Sequence, residues 1–167
     1  VAAASRQLLH LINEVLDTAK IEQGKMELHI APVDLVEQLE ETAALFQLQA
    51  RAQRQSFTLE PLELKHRRVL TDGGRLDQIL NNLLSNAVKY TPSGGAVYLE
   101  FWQEECARKG YQRYGFRCED TGLGMDKTFL ERLFQPFERA ADSAVSQVVG
   151  TGLGMAITKN LVDLMDG

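Results

Sequence analysis

Residues 76–91 read LDQILNNLLSNAVKYT. Leu76, Ile79, Leu80, Leu83, Leu84 and Ala87 recur at helical spacing, which makes the stretch an amphipathic helix with a fixed core face. At about 100° per residue, Asn82, Asn86 and Lys89 gather on a second stripe, roughly 120° from the centre of the apolar one and bordering it. The turn TPSGG, residues 91–95, closes the helix.

Beyond that turn, Val97, Leu99 and Phe101 alternate with Tyr98, Glu100 and Trp102, and Tyr114, Phe116 and Cys118 alternate after a polar connection. This pattern predicts an antiparallel strand pair. Counting on by two from Cys118 reaches Asp120, so the spacing predicts a carboxylate at the strand's end that points inward, between sheet and helices. Upstream of the helix, TDGG at 71–74 is a turn signal, Val69–Leu70 marks a short apolar step, and Phe57 with Leu59 marks a short strand. Asp34 with Glu37 three residues on reads as a capping box for a helix carrying Leu35, Leu39, Phe46 and Ala50 and ending near Gln53. Met26, Leu28 and Ile30 alternate with Glu27 and His29, which predicts a half-buried strand with His29 on its wet side. Before Gly24, the residues Leu9, Ile12, Leu16 and Ala19, flanked by Leu8 and Val15, form a narrow helical seam. The chain offers that seam no matching neighbour before Gly24 ends the helix, so its expected partner is a second helix outside this chain or another copy, the ordinary alternative being a terminal helix packed on its own domain.

Past Asp120, Asp126 is placed to cap a short helix through Phe129, Leu130 and Leu133, broken at Pro136. Residues 138–149 are small and polar without periodicity and are expected to form a mobile loop. A last helix carries Leu153, Ile157, Leu161 and Leu164. Its start, GTGLG at 150–154, nearly repeats DTGLG at 120–124. Two tight backbone turns at separate places point to one ligand held from two sides.

With 167 residues and 44% hydrophobic content, the chain can bury a real core. A net charge of -5 argues against a nucleic-acid backbone as partner. Cys106 and Cys118 fit a reducing compartment better than a disulfide scaffold, and no metal-type Cys/His spacing occurs. No apolar run approaches the ~20 residues of a membrane helix, and the expected location is cytoplasmic, which leaves the parent protein free to be membrane-anchored. Beginning at Val1 inside a helical pattern, the chain reads as a piece of something longer.

Neither glycine cluster fits the P-loop or the dinucleotide fingerprint. GTGLG opening a helix nevertheless offers free backbone N–H groups and the positive end of the helix dipole to an anion, although glycines also serve plain turns and close packing. A buried Asp120 must find donors, and the amino group of a flat purine is one, the ordinary alternative being a carboxylate that caps a turn. Amide oxygens at Asn82 and Asn86 beside Lys89 suit a magnesium ion and the phosphates it bridges, unless they are plain residues of a helix rim.

In order, LDQILNNLLSNAVKYT, EDTGLGM, LFQPFER and GTGLGMAI resemble the asparagine box, first glycine box, phenylalanine box and second glycine box of sensor histidine kinases. The stretch LLHLINEVLDTAKIEQGKMELHIAPVDL, residues 8–35, is similar to the second helix of their dimerisation domain running into the ATP-binding domain. The resemblance implies an α/β (α+β) two-layer sandwich of the Bergerat type, a mixed β-sheet covered on one face by helices, with residues 1–24 from the dimerisation helix and 25–167 from the catalytic ATP-binding domain. It implies ATP and Mg2+ as ligands. Asn86 is then the magnesium ligand, with Asn82 near the phosphates, Lys89 on phosphate oxygens and Tyr90 lining the nucleotide site. Asp120 takes the adenine amino group, with Gly122 and Gly124 admitting the purine and Met125 beside them. Arg139 reaches the γ-phosphate as a lid closes, and Gly150, Thr151, Gly152, Leu153 and Gly154 form the hinge and the phosphate-facing amides. Asn82, Lys89 and Arg139 are the catalytic set. Implied partners are a histidine-bearing dimerisation domain, a response regulator receiver domain and, in the full-length parent, a second copy.

Gyrase-type and chaperone relatives place a glutamate where Asn82 stands, and an amide cannot take up a proton from water. The family's acceptor histidine is followed by an acidic residue, whereas His10 precedes Leu11, His29 precedes Ile30 and His66 precedes Arg67. The acceptor helix is therefore absent, and this chain alone is not expected to phosphorylate itself. The family's last two strands are also expected beyond Gly167. Two other readings remain open at this point: a protein serine kinase of the anti-sigma type, and a nucleotide-sensing module without catalysis.

Overall fold

The Asp34 carboxylate accepts a hydrogen bond from the Glu37 N–H at 3.2 Å, and this cap starts a helix where the sequence places one. The computed structural model describes residues 2–61, 63–138 and 151–167. Its elements run α1 (Ala2–Glu22), β1 (Ala31–Asp34), α2 (Leu35–Ala52), β2 (Ser56–Leu59), β3 (Arg68–Thr71), α3 (Gly73–Tyr90), β4 (Ala96–Glu104), β5 (Arg113–Asp120), α4 (Lys127–Leu130) and α5 (Gly154–Leu164). They belong to two compact units, His29–Gly124 on the one hand and Val1–Leu28 with Met125–Gly167 on the other.

In the unit His29–Gly124, β2 pairs in parallel with β4 and β4 pairs antiparallel with β5, giving a mixed sheet in the order β2-β4-β5. The parallel step requires a long crossover, and α3 lies within it. β1 and β3 form a separate antiparallel ribbon. The predicted alternation of β4 and β5 holds: Val97, Leu99 and Phe101 are buried, and Tyr114, Phe116 and Cys118 pack against the same core. Phe101 stacks on Tyr114 and Phe116, with ring centroids 5.8 and 6.3 Å apart. Leu39, Leu80, Leu84 and Leu99 are shielded to 1% exposure or less, each stabilising by about 1.5–3 kcal/mol relative to the solvated side chain. The apolar stripe of α3 therefore lies in the core as read from sequence. This leaves Asn82, Asn86 and Lys89 half-buried at its border.

The α3 cap is Asp72, whose two oxygens accept from the Arg75 N–H at 3.0 Å and the His29 N–H at 2.7 Å. The strand expected over residues 26–30 is corrected. That segment is irregular, Met26 is buried and Ile30 is 56% exposed, because β3 offers partners only to Ala31–Asp34. His29 is exposed as expected.

In the other unit, α1 ends before Gly24, whose φ of +63° suits the left-handed turn after a helix. Leu8, Leu9, Ile12, Val15 and Leu16 stand 47–60% exposed, whereas Glu14 is buried. α1 touches α5. Asp126 caps α4 through the Phe129 N–H, but the helix stops at Leu130 instead of running to Leu133. The chain then turns, and the Phe137 N–H donates to the Gly152 carbonyl at 2.9 Å. Of the loop expected over 138–149, residues 139–149 lie outside the described residues. Among the described residues, no helix is long and apolar enough to cross a membrane.

Candidate functional site

The last turn of α3 gathers Asn86, Lys89 and Tyr90, with Asn82 one turn earlier. Lys89 Nζ lies 5.1 Å from the centre of the Tyr90 ring, within the range of a cation–π contact. The Tyr90 carbonyl accepts from the Leu123 N–H at 3.2 Å, which ties the first glycine turn to the end of α3. Thr121 fastens the same turn to the sheet: its N–H donates to the Ala96 carbonyl at 3.0 Å, and its hydroxyl accepts from the Ala96 N–H at 2.9 Å. The structure thus brings Asn82, Asn86, Lys89, Tyr90, Asp120, Gly122 and Gly124 onto two adjoining elements of one unit.

Asp120 requires a correction. It was expected to be buried, yet it is exposed, and its Oδ1 accepts from the Gly122 N–H at 2.8 Å. The side chain does share its strand parity with Cys118, but it stands at the last residue of β5, where the strand gives way to the turn. A turn-capping carboxylate at an open edge is therefore what it is in this structure. Its neighbour Cys118 feels both effects: burial, and then the Asp120 charge, push that thiol up from 9.0 to about 11. Cys118 is neutral at pH 7 and is no nucleophile.

The glycines of the first turn do different work. A Cβ on Gly122 would lie 2.5 Å from Asp120 Oδ1 and 2.6 Å from the Tyr90 carbonyl oxygen, so only glycine fits there. Gly124 instead has a φ of +71° with open space around it. Met125, which belongs to the other unit, is exposed.

In that other unit Thr151, Gly152, Leu153 and Gly154 lead into α5. Gly152 combines a φ of +74° with backbone contact, since a Cβ there would come within 2.7 Å of Phe137 C. The Thr151 hydroxyl accepts from the Leu153 N–H at 3.1 Å, and no side chain caps α5. Arg139 and Gly150 lie outside the described residues.

Sequence reading passed over Gln55. Its side chain is buried, and its Nε2 donates to the carbonyls of Val88 at 2.8 Å and Thr91 at 2.5 Å, on either side of Lys89 and Tyr90. One signal was available: Gln55 shares the inward parity of Phe57 and Leu59, a polar residue at an apolar position.

Among the described residues, no group of three or more His, Cys, Asp or Glu side chains could hold a metal ion. The amide oxygens of Asn82 and Asn86 on α3 belong to the hard-oxygen donor class that suits a magnesium ion completed by substrate phosphates.

Residues 71–167 match the family described as "Histidine kinase-, DNA gyrase B-, and HSP90-like ATPase". The chain is 40% identical to the circadian input-output histidine kinase CikA of Synechococcus elongatus, an alignment covering 98% of this chain and 21% of that protein. It is 35% identical to the autoinducer 2 sensor kinase/phosphatase LuxQ of Vibrio vulnificus, over 98% of this chain and 19% of that protein. The chain thus spans about a fifth of the length of these relatives. Among solved structures, full-length ShkA in complex with AMPPNP superposes with a TM-score of 0.73 at 33% identity, covering 98% of this chain and 32% of that one. The Acinetobacter baumannii histidine kinase AdeS, at 22% identity and a TM-score of 0.69, shares the fold over 95% of this chain and 68% of its own.

Proposed function

Since the chain belongs to the histidine kinase-, DNA gyrase B- and HSP90-like ATPase family, we propose that it is the ATP-binding catalytic part of a sensor histidine kinase. In this reading it transfers the γ-phosphoryl group of Mg-ATP to a histidine on a dimerisation domain, from which a response regulator's receiver domain takes it. The observation that carries the proposal is the join between α3 and the first glycine turn. Leu123 bonded to Tyr90 sets the amide and lysine stripe of α3 beside the carboxylate and the glycine of that turn.

The proposed roles follow from the chemistry of each group. Asp120 accepts from the adenine amino group, and Gly122 lets the purine approach the main chain. Lys89 leaves the Tyr90 ring for phosphate oxygens, and Tyr90 lines the nucleotide. Asn82 holds phosphate oxygens, and Asn86 offers an amide oxygen to magnesium, which when bound neutralises phosphate charge. Gly124 and Met125 complete the adenine side, while Arg139, Gly150, Thr151, Gly152, Leu153 and Gly154 serve the triphosphate.

Transfer then needs little from the protein beyond alignment and charge neutralisation. The acceptor nitrogen forms a bond to the γ-phosphorus, the bond to the bridging oxygen breaks, and ADP leaves with that electron pair. Asn82 supplies no base to activate water, so the bound ATP waits for its acceptor. Residue identity at position 82 is thus what favours a kinase over a hydrolase within the family. The parent is proposed to act as a homodimer.

The test mixes the chain with γ-labelled Mg-ATP and a separate acceptor-bearing dimerisation domain. Acid-labile, base-stable label on that domain is the expected result. An acid-stable, hydroxyl-linked product would transfer the reading to a serine kinase, and tight ATP binding with no label would reduce it to a nucleotide-sensing module.

A further inference from the structure

We infer that Gln55 is a positioning residue for the nucleotide site, clamping the last turn of α3 so that Lys89 and Tyr90 face the ligand. The inference rests on the proposed ATP-binding function and adds to it a residue far from every motif.

The geometry is specific. Gln55 directly precedes β2 and is 7% exposed. Its amide nitrogen donates to Val88 O and Thr91 O, two carbonyls at the end of α3 that a helix of this length leaves without an N–H partner further along. Between those anchors sit Lys89 and Tyr90. The carbonyl of Tyr90 is itself engaged by the Leu123 N–H. The final turn of α3 is therefore gripped from both sides, by Gln55 from β2 and by the first glycine turn from β5.

The backbone around Gln55 reinforces this clasp. The Ser56 N–H donates to the Gly95 carbonyl at 2.9 Å, and the Gly94 N–H donates to the Arg54 carbonyl at 2.8 Å. Arg54 takes a φ of +58°, a left-handed conformation that a side-chain-bearing residue adopts only under constraint. Packing alone does not explain a glutamine here. Its Oε1 is buried without a hydrogen-bond partner among the described residues, so an apolar side chain of equal size would avoid that desolvation. What an apolar residue cannot supply is the pair of donors. Their effect reaches the site because a shift of the final turn moves Lys89, Tyr90 and, through Leu123, the turn that carries Asp120 and Gly122.

The test compares the wild-type chain with Gln55→Met, which keeps size without donors, and Gln55→Glu, which sets oxygens where the amide donates. Leu39→Val, a core change on α2, serves as the stability reference. Affinity for Mg-AMPPNP is measured by calorimetry at a temperature well below every unfolding midpoint. Both Gln55 variants should bind at least tenfold more weakly, while Leu39→Val stays within twofold of wild type. Gln55 variants that bind within twofold of a binding wild type would overturn the inference and leave the ATP reading intact. Equal losses in all three variants would also overturn it, by tracing the loss to general destabilisation. If the wild type itself binds no nucleotide, both readings fall together. Should one Gln55 variant fold poorly, the other decides.

Discussion

Replacing Gly122 by alanine is the sharpest test of how the first glycine turn is built. Gly122 has no left-handed φ, so its need for glycine is purely steric. An added Cβ would meet Asp120 Oδ1 at 2.5 Å, the Tyr90 oxygen at 2.6 Å and the Tyr90 carbon at 3.1 Å. Two of these atoms belong to the Tyr90 backbone, and the third, the tip of the Asp120 side chain, is held by the Gly122 N–H. Relief means moving the turn away from α3, which overpacks its surroundings at about 1–3 kcal/mol. The movement also loosens the Leu123 to Tyr90 bond, worth about 0.5–1.5 kcal/mol. The expected loss is therefore about 2–4 kcal/mol, or roughly 4–16 °C in melting temperature for a chain of this size. Gly124→Ala is the internal reference. Its Cβ meets nothing within 4 Å, and only the left-handed φ of +71° is penalised, at about 1 kcal/mol. Urea titrations of the two variants, read by far-UV circular dichroism, decide the matter. Gly122→Ala no more destabilising than Gly124→Ala would refute the steric argument and with it the claim that the turn is wedged against α3.

Asp120→Ala should weaken binding of ADP and adenosine while leaving inorganic triphosphate within about twofold, as competition calorimetry can show; equal loss of both would contradict an adenine role for the carboxylate. Cys118 gives a stability slope in alkali. Its pKa is raised on folding, so the contribution is complete below about 9 and is lost as pH rises toward about 11. Urea midpoints at pH 8 and 10.5 should differ more for wild type than for Cys118→Val. Arg67 hydrogen-bonds the Asp34 carboxylate and holds its pKa below the ordinary 3.8. That contribution is present above 3.8 and fades as pH falls below it, so Asp34→Asn should cost stability at pH 7 and converge with wild type in acid. A constant difference down to pH 2.5 would count against the ion pair.

What the sequence disclosed depended on whether the signal was local. The cap at Asp34, the stripe of α3 and the alternation of β4 and β5 are decided by neighbours in the chain, and each stands where periodicity placed it. The segment 26–30 alternates just as well, yet it is no strand. A strand needs a partner, and β3 starts pairing only at Ala31. Asp120 shows the same limit: parity gave its face, but exposure is set by where the sheet ends. Gln55 is the converse, a residue with a weak local signal whose work is done with Val88 and Thr91 more than thirty positions away.

The two glycine clusters look alike in sequence and differ in physics. In the first, Gly122 lacks a side chain because Tyr90 and Asp120 occupy the space, so its backbone is pinned. In the second, Gly152 is required by φ as well as by the nearness of Phe137, a residue whose own φ of +66° marks a strained turn. A pinned turn suits a flat, rigid group whose position must not vary. A turn that stores strain suits a part of the site that changes shape between states. On the proposed function, the first property belongs with adenine recognition and the second with the phosphate end, where ADP must be released once the γ-phosphoryl group has gone. Phe137→Gly separates these roles. It removes the left-handed penalty at position 137, so it should raise the melting temperature or leave it unchanged. If the strain is only structural, nucleotide affinity will not move. If the strain is part of the triphosphate end, the affinity ratio of ATP to ADP will shift by severalfold while adenosine binding stays constant.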